Sequence, residues 1–158
     1  MPQLSNFTYN EIQIGQTARY TKKIEQQDIT LFAAASGDVN PVHLDDDYAS
    51  TTPFKERIAH GMLTGAVISA ALAMELPGPG TIYLSQTLRF RLPVRIGDTV
   101  SVLLEVTDKR DKRQFVTLDC KAFNQNDKLV ASGTAEVMAP SEKLFIDRPE
   151  LPKISIAQ

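Results

Sequence analysis

"GMLTGAVISAALAMELPGPGTIYLSQTLRF", residues 61–90, changes its period half-way along. From Gly61 to Met74 the run is apolar nearly all round, which predicts a helix buried on most sides. "PGPG", Pro77 to Gly80, then breaks the chain. Beyond the break the apolar residues alternate, and Ile82, Leu84, Gln86, Leu88 and Phe90 share one face of an extended segment. A helix of 14 residues reaches only about 21 Å, short of a bilayer core.

Further along the chain the same alternation recurs. Val100, Val102, Leu104 and Val106 fall on one face, then Val116, Leu118, Cys120 and Ala122, then Leu129, Ala131, Gly133, Ala135 and Val137. "VTDKRDKRQF" and "FNQNDKLV" read as the hairpin connections between these runs. The pattern predicts an antiparallel sheet with one buried face, and the apolar helix is its natural cover. The fold class is therefore α+β, a curved antiparallel sheet wrapped around one long buried helix. Cys120 sits on the apolar face and reads as a packed thiol.

Upstream, "TARYTKKIEQQDI" is a weakly alternating strand leading into a helix, "QQDITLFAAASGD". Ile29, Phe32, Ala33 and Ser36 would share a face of that helix, with Gly37 as its stop. The chain divides into one domain, residues 1–140, and a tail, residues 141–158, spaced with prolines and charges and expected to pack loosely.

At 158 residues the chain is long enough to bury a real core as a single domain. Its 17 basic and 19 acidic residues give a net charge of −2. That leaves no basic footprint for a nucleic-acid backbone and no strong attraction to an anionic membrane. One cysteine excludes an intrachain disulfide. The first residues lack the basic start and apolar run of a signal peptide, so a soluble, cytoplasmic protein is expected.

The remaining segment, "GDVNPVHLDDDYASTTPFKERIAHG", residues 37–61, is long, polar and holds both histidines of the chain. A connection of this length is usually functional or disordered. Three readings stand side by side. In the first the acids and Asn40 are turn and helix-start residues, with "DDDYAS" as one helical turn and His43 as a satisfied loop histidine. In the second His43, Asp45 and His60 supply the residue types of a two-histidine, one-carboxylate metal triad, although the gap between the histidines is short for it. In the third Asp38 and His43, five residues apart across a proline bend, face one cavity as a general base and a general acid around a water. Gly61 opens the buried helix, where its amide is an unpaired donor that a ligand can approach closely. A base, an acid and an oxyanion donor in that order suit chemistry beside a thioester carbonyl.

"SGDVNPVHLD", "TPFKERIAHGML" and "GPGTIYLSQTLRFRLPVRIGDTV" together resemble the MaoC-like, (R)-specific enoyl-CoA hydratases of the hot dog fold, from about Gly15 to Pro140. The resemblance implies Asp38 and His43 as a catalytic dyad and the Gly61 amide as the oxyanion donor. It implies that Asn40 holds the dyad loop, that Ser69 is a small polar residue near the active water, and that His60 sets up the Gly61 amide. It further implies a homodimer with active sites at the interface, no metal and no bound redox cofactor. Coenzyme A enters only with the enoyl-CoA or 3-hydroxyacyl-CoA substrate of fatty acid metabolism. The implied reaction is reversible syn addition of water to a trans-2-enoyl-CoA, giving the (R)-3-hydroxyacyl-CoA. A dehydratase acting on acyl-carrier-protein substrates, a thioesterase on the same fold and a non-catalytic acyl-CoA-binding subunit are the alternatives. Arg89, Arg91 and Arg95 read as solvated strand charges, with the phosphates of coenzyme A as another partner. Acyl chain length is left open, because the small residues Gly65, Ala66, Ala70, Ala71 and Ala73 serve close packing as well as pocket space.

Overall fold

A computed structural model describes residues 2–157. Its elements run β1 (Gln3–Ser5), β2 (Thr17–Lys23), α1 (Gln26–Ser36), α2 (Pro41–Leu44), α3 (Asp46–Ser50), α4 (Gly61–Met74), β3 (Ile82–Gln86), β4 (Arg89–Phe90), β5 (Thr99–Arg110), β6 (Phe115–Phe123), β7 (Leu129–Met138) and β8 (Phe145–Asp147). The main sheet has the order β2-β5-β6-β7-β3, and β4 also pairs with β7. Every pairing in it is antiparallel.

The alternation read from β5 and β6 puts its apolar set inward. Val100, Val102, Leu104, Val106, Val116, Leu118, Cys120 and Ala122 are all buried. Helix α4 lies on this face and contributes Val67, Ile68, Ala71 and Leu72 to the same core. Each fully buried side chain of this size is worth about 1.5–3 kcal/mol, so the sheet–helix interface dominates the stability. Burial also pushes the Cys120 thiol up to about 11.

Three sequence expectations need correction. The face read as Ile82, Leu84, Gln86, Leu88 and Phe90 is not a buried one: Ile82, Leu84 and Phe90 stay exposed in the chain. Their strand lies at the sheet edge, and its register shifts between Tyr83 and Ser85, which turns side chains over part-way along. In β7 the register with β6 shifts after Ala122, so Val130 is the extra residue of a bulge and is buried where Leu129 was expected to be. Helix α4 keeps an open flank, with Met62, Ala66 and Ala73 exposed.

Helix α1 ends as its sequence predicts. Gly37 takes a left-handed φ of 80° and its N–H donates to the Ala33 carbonyl. Ile29 and Ala33 are buried, but Ser36 turns outward. The Ser36 hydroxyl donates to the Phe32 carbonyl and accepts from the Asp38 amide, which fixes how the chain leaves the helix.

The tail returns to the start of the chain, where β8 pairs antiparallel with β1. Buried Asn6 ties them together: its amide donates to the Pro79 and Glu142 carbonyls, and its Oδ1 accepts from the Leu144 amide. Residues 149–157 carry no regular structure. Among the described residues no helix is long and apolar enough to cross a membrane.

Candidate active site

The segment between α1 and α4 is organised by its own side chains. Asp38 Oδ1 accepts from the Asn40 amide at 3.1 Å, and Asn40 Oδ1 accepts from the Val42 amide at 3.2 Å. These two bonds start α2, with Asn40 as cap and Pro41 as first helical residue. The single turn of α2 carries His43 inward, where only 7% of it is exposed. His43 Nδ1 lies 2.8 Å from the Ile58 carbonyl. A carbonyl only accepts, so Nδ1 holds a hydrogen and Nε2 is the nitrogen that faces the site. Nε2 stands 3.9 Å from Asp38 Oδ2, whose side chain is about half exposed. That gap is too long for a direct hydrogen bond and has the length at which a shared water bridges two groups.

His60 precedes α4 as its cap residue. Its ring is stacked on His43, with centroids 3.8 Å apart and planes at 26°, and Phe32 tilts against it at 4.9 Å. Its Nε2 donates to the Asp38 carbonyl at 3.0 Å. Its Nδ1 is buried and has no hydrogen-bond partner among the described residues.

Gly61 follows as the first residue of α4, so no carbonyl of the helix lies a turn before its amide. A Cβ built on Gly61 would lie 3.1 Å from the Phe90 ring, so any side chain here forces that ring to move. A cavity of about 350 Å³ opens beside it, lined by Phe54, His60, Gly61, Thr64, Phe90 and Val94 among others. A second cavity of about 730 Å³ runs over Phe32, Met62, Gly65, Ser69, Leu84 and Phe90. Phe90 belongs to both and stands between them.

The acids separate by role. Asp45 caps α3 by accepting from the Tyr48 amide at 3.0 Å, and Asp46 accepts from Arg57 Nε at 2.8 Å. The metal reading that used Asp45 therefore loses its carboxylate. The carboxylate that joins the two imidazoles is Asp38, with one candidate ligand atom from each group within 4.8 Å of the others. Within that set His60 Nε2 is spent as a donor to a carbonyl and offers no lone pair. Ser69 lies in the wall of the second cavity, eight residues beyond Gly61 and thus about 12 Å along the helix. Of the three arginines, Arg95 is not a free charge, because it binds the Phe54 carbonyl and Glu56 at 2.9 and 2.8 Å and pins the loop. Arg91 lines the first cavity and Arg89 lies on β4.

Sequence reasoning missed the stack of His43 on His60 and the backing by Phe32. Neither leaves a signal in residue type or spacing, because both depend on how the chain between α1 and α4 folds back.

Comparison with known proteins gives a consistent picture. The family model described as a MaoC like domain matches residues 8–123. A solved R-hydratase from Pseudomonas aeruginosa, in its unliganded form, is 58% identical and superposes with a TM-score of 0.94, covering 99% of this chain and 100% of that one. An (R)-specific enoyl-CoA hydratase from Rhodospirillum rubrum is 48% identical over 84% of this chain and 92% of its own length. A 3-hydroxybutyryl-CoA dehydratase from Methylorubrum extorquens is 42% identical over 90% of each chain. The sheet and helix described above share the hot dog fold of the solved R-hydratases.

Proposed function

The chain belongs to the MaoC-like family, and from that premise we propose that it is a hydro-lyase, an (R)-specific enoyl-CoA hydratase. The reaction is the reversible syn addition of water to a trans-2-enoyl-CoA, giving the (R)-3-hydroxyacyl-CoA. The observation that carries this reading is the approach of His43 Nε2 to Asp38 Oδ2 at 3.9 Å, beside the open first amide of α4.

In the hydration direction Asp38 removes a proton from water, and the oxygen adds to C3. The electrons pass through C2 to the thioester oxygen, where the Gly61 N–H stabilises the enolate-like charge. His43 Nε2–H then protonates C2. Because Nδ1 is held by the Ile58 carbonyl, Nε2 is the only ring nitrogen of His43 that can transfer this proton. Proton return from Asp38 to His43 resets the pair. No covalent intermediate with the protein is needed. Asn40 supports the loop through its cap bond, and Ser69 is one of the few polar groups in the mainly apolar lining of the second cavity.

The proposed assembly is a homodimer. The exposed apolar edge of Ile82, Leu84 and Phe90, together with Met62 on α4, supports it. The proposed catalytic domain is residues 1–140, with residues 141–158 as a tail that returns through β8 to β1. Turnover of crotonyl-CoA, followed by loss of the alkene absorbance, tests the reading. The expected result is hydration by the native chain and turnover lower by on the order of 10³-fold in Asp38→Asn, with folding kept. Unchanged turnover by Asp38→Asn would remove the dyad from the account.

A further inference from the structure

We propose that His60 is a positioning residue that locks the dyad to the oxyanion amide, a role that rests on the hydratase reading above. His60 is the one side chain that touches the Asp38 backbone and the His43 ring while being bonded directly to Gly61.

Its position makes the choice of residue unusual. A cap side chain ordinarily accepts from the second or third amide of its helix, and His60 makes no such bond. Its ring turns instead across 22 residues of sequence to the Asp38 carbonyl. The Leu63 amide is taken by the His60 carbonyl at 3.0 Å, and the Gly61 amide before it is left open to a ligand. The same ring lies flat on His43 at 3.8 Å and is held on another side by Phe32. Only 2% of His60 is exposed, so it has little room to swing.

The orphan nitrogen argues against a merely space-filling role. With Nε2–H committed to Asp38, Nδ1 keeps a lone pair with no partner among the described residues. A buried unpaired acceptor is unfavourable, and a leucine or phenylalanine would fill the same volume without one. What histidine adds is the donor to Asp38 combined with a flat face for His43. Base, acid and amide therefore keep one geometry when substrate enters.

Two variants of the full chain separate the contributions. His60→Phe keeps a flat ring and loses the donor, whereas His60→Gln keeps a donor and loses the ring. The expected result with crotonyl-CoA is a fall in kcat of about 100-fold for His60→Phe, as small misplacements of reacting groups produce, with KM within about threefold. His60→Gln is expected to recover about tenfold of that loss, within the range seen when outer partners of a site are restored. Because the chain has only two histidines, the His43 ring proton is a clean NMR signal. It is expected to sit upfield in the native chain and in His60→Phe, and to move downfield in His60→Gln. A kcat within twofold of native in His60→Phe overturns the role, as does a loss that falls on KM alone. Where neither variant folds, Phe32→Leu loosens the His60 ring from its other side. A lower kcat at constant KM then supports the role, and an unchanged kcat overturns it. A native chain that hydrates no enoyl-CoA overturns the hydratase reading and this role together, whereas an active native chain with an intact His60→Phe overturns this role alone.

Discussion

The face that β5 and β6 turn toward α4 and the segment 37–61 are built on opposite terms. On the sheet face Val100, Val102, Leu104, Val106, Val116, Leu118, Cys120 and Ala122 are all buried, and packing holds their side chains, with the Cys120 thiol also lying 3.8 Å from the Leu118 carbonyl. In segment 37–61 the buried residues are His43, Ala49, Ala59 and His60, so half of its interior is imidazole. Its shape comes from hydrogen bonds between short side chains and the backbone: Ser36 to Asp38, Asp38 to Asn40, Asn40 to Val42, and His43 to Ile58. One region stores stability and the other places polar groups. Because the second is laid against the start of α4, the first gives it a rigid floor.

The largest loss of activity is expected from changes to Asp38 and His43. Asp38→Asn and His43→Gln are each expected to lower kcat on crotonyl-CoA by on the order of 10³-fold, the scale of a lost acid or base, with thermal midpoints close to native. The double variant should be little worse than the poorer single one, because groups that act as a unit are not additive. A large fall in thermal stability instead would mean that the segment, too, is structural.

The opposite change is Leu118→Ala. It is expected to cost about 3 kcal/mol in denaturant unfolding through the cavity it leaves, while kcat per folded molecule stays native. Gly61→Ala lies between the two regions. Its Cβ would meet the Phe90 ring at 3.1 Å, and the displaced ring borders both cavities. A fall in kcat of about tenfold is expected, with a cost in stability of about 1 kcal/mol, the low end for overpacking. The double variant Gly61→Ala/Phe90→Leu should regain part of the loss.

The smallest effect concerns Cys120. Burial raises its thiol from an ordinary 9.0 to about 11, so the folded state holds the proton more tightly than the unfolded one. This contribution is fully present below pH 9.0 and is lost as the pH rises through about 11. Urea midpoints across that window should fall more steeply for the native chain than for Cys120→Ala, and a thiol reagent should react at pH 8 only after unfolding.

The packed region was legible in the sequence because period-2 alternation and an all-apolar helix report burial directly. Where alternation misled, the cause was local: a register shift between Tyr83 and Ser85 at an open edge, and a bulge at Val130. Neither leaves a mark in hydrophobic spacing. In the site, the proline bend between Asp38 and His43 and the turn chemistry of Asn40 could be read from residue type. The pairing of His43 with His60 could not, since it depends on how 16 intervening residues fold back, fixed by Arg95 on the Phe54 carbonyl and Arg57 on Asp46. The reading of Asp45 as a helix-start residue holds, since it caps α3 by accepting from the Tyr48 amide, while its place in a metal triad with His43 does not.

Isotopic labelling follows the added water to the carbon it attacks. The native chain is incubated with crotonyl-CoA in ¹⁸O-water and the products are analysed by mass spectrometry and chiral chromatography. The expected product is an intact thioester carrying ¹⁸O on C3, in the (R) configuration. Free coenzyme A with ¹⁸O in a released carboxylate, or a label at C3 in the (S) configuration, would contradict it.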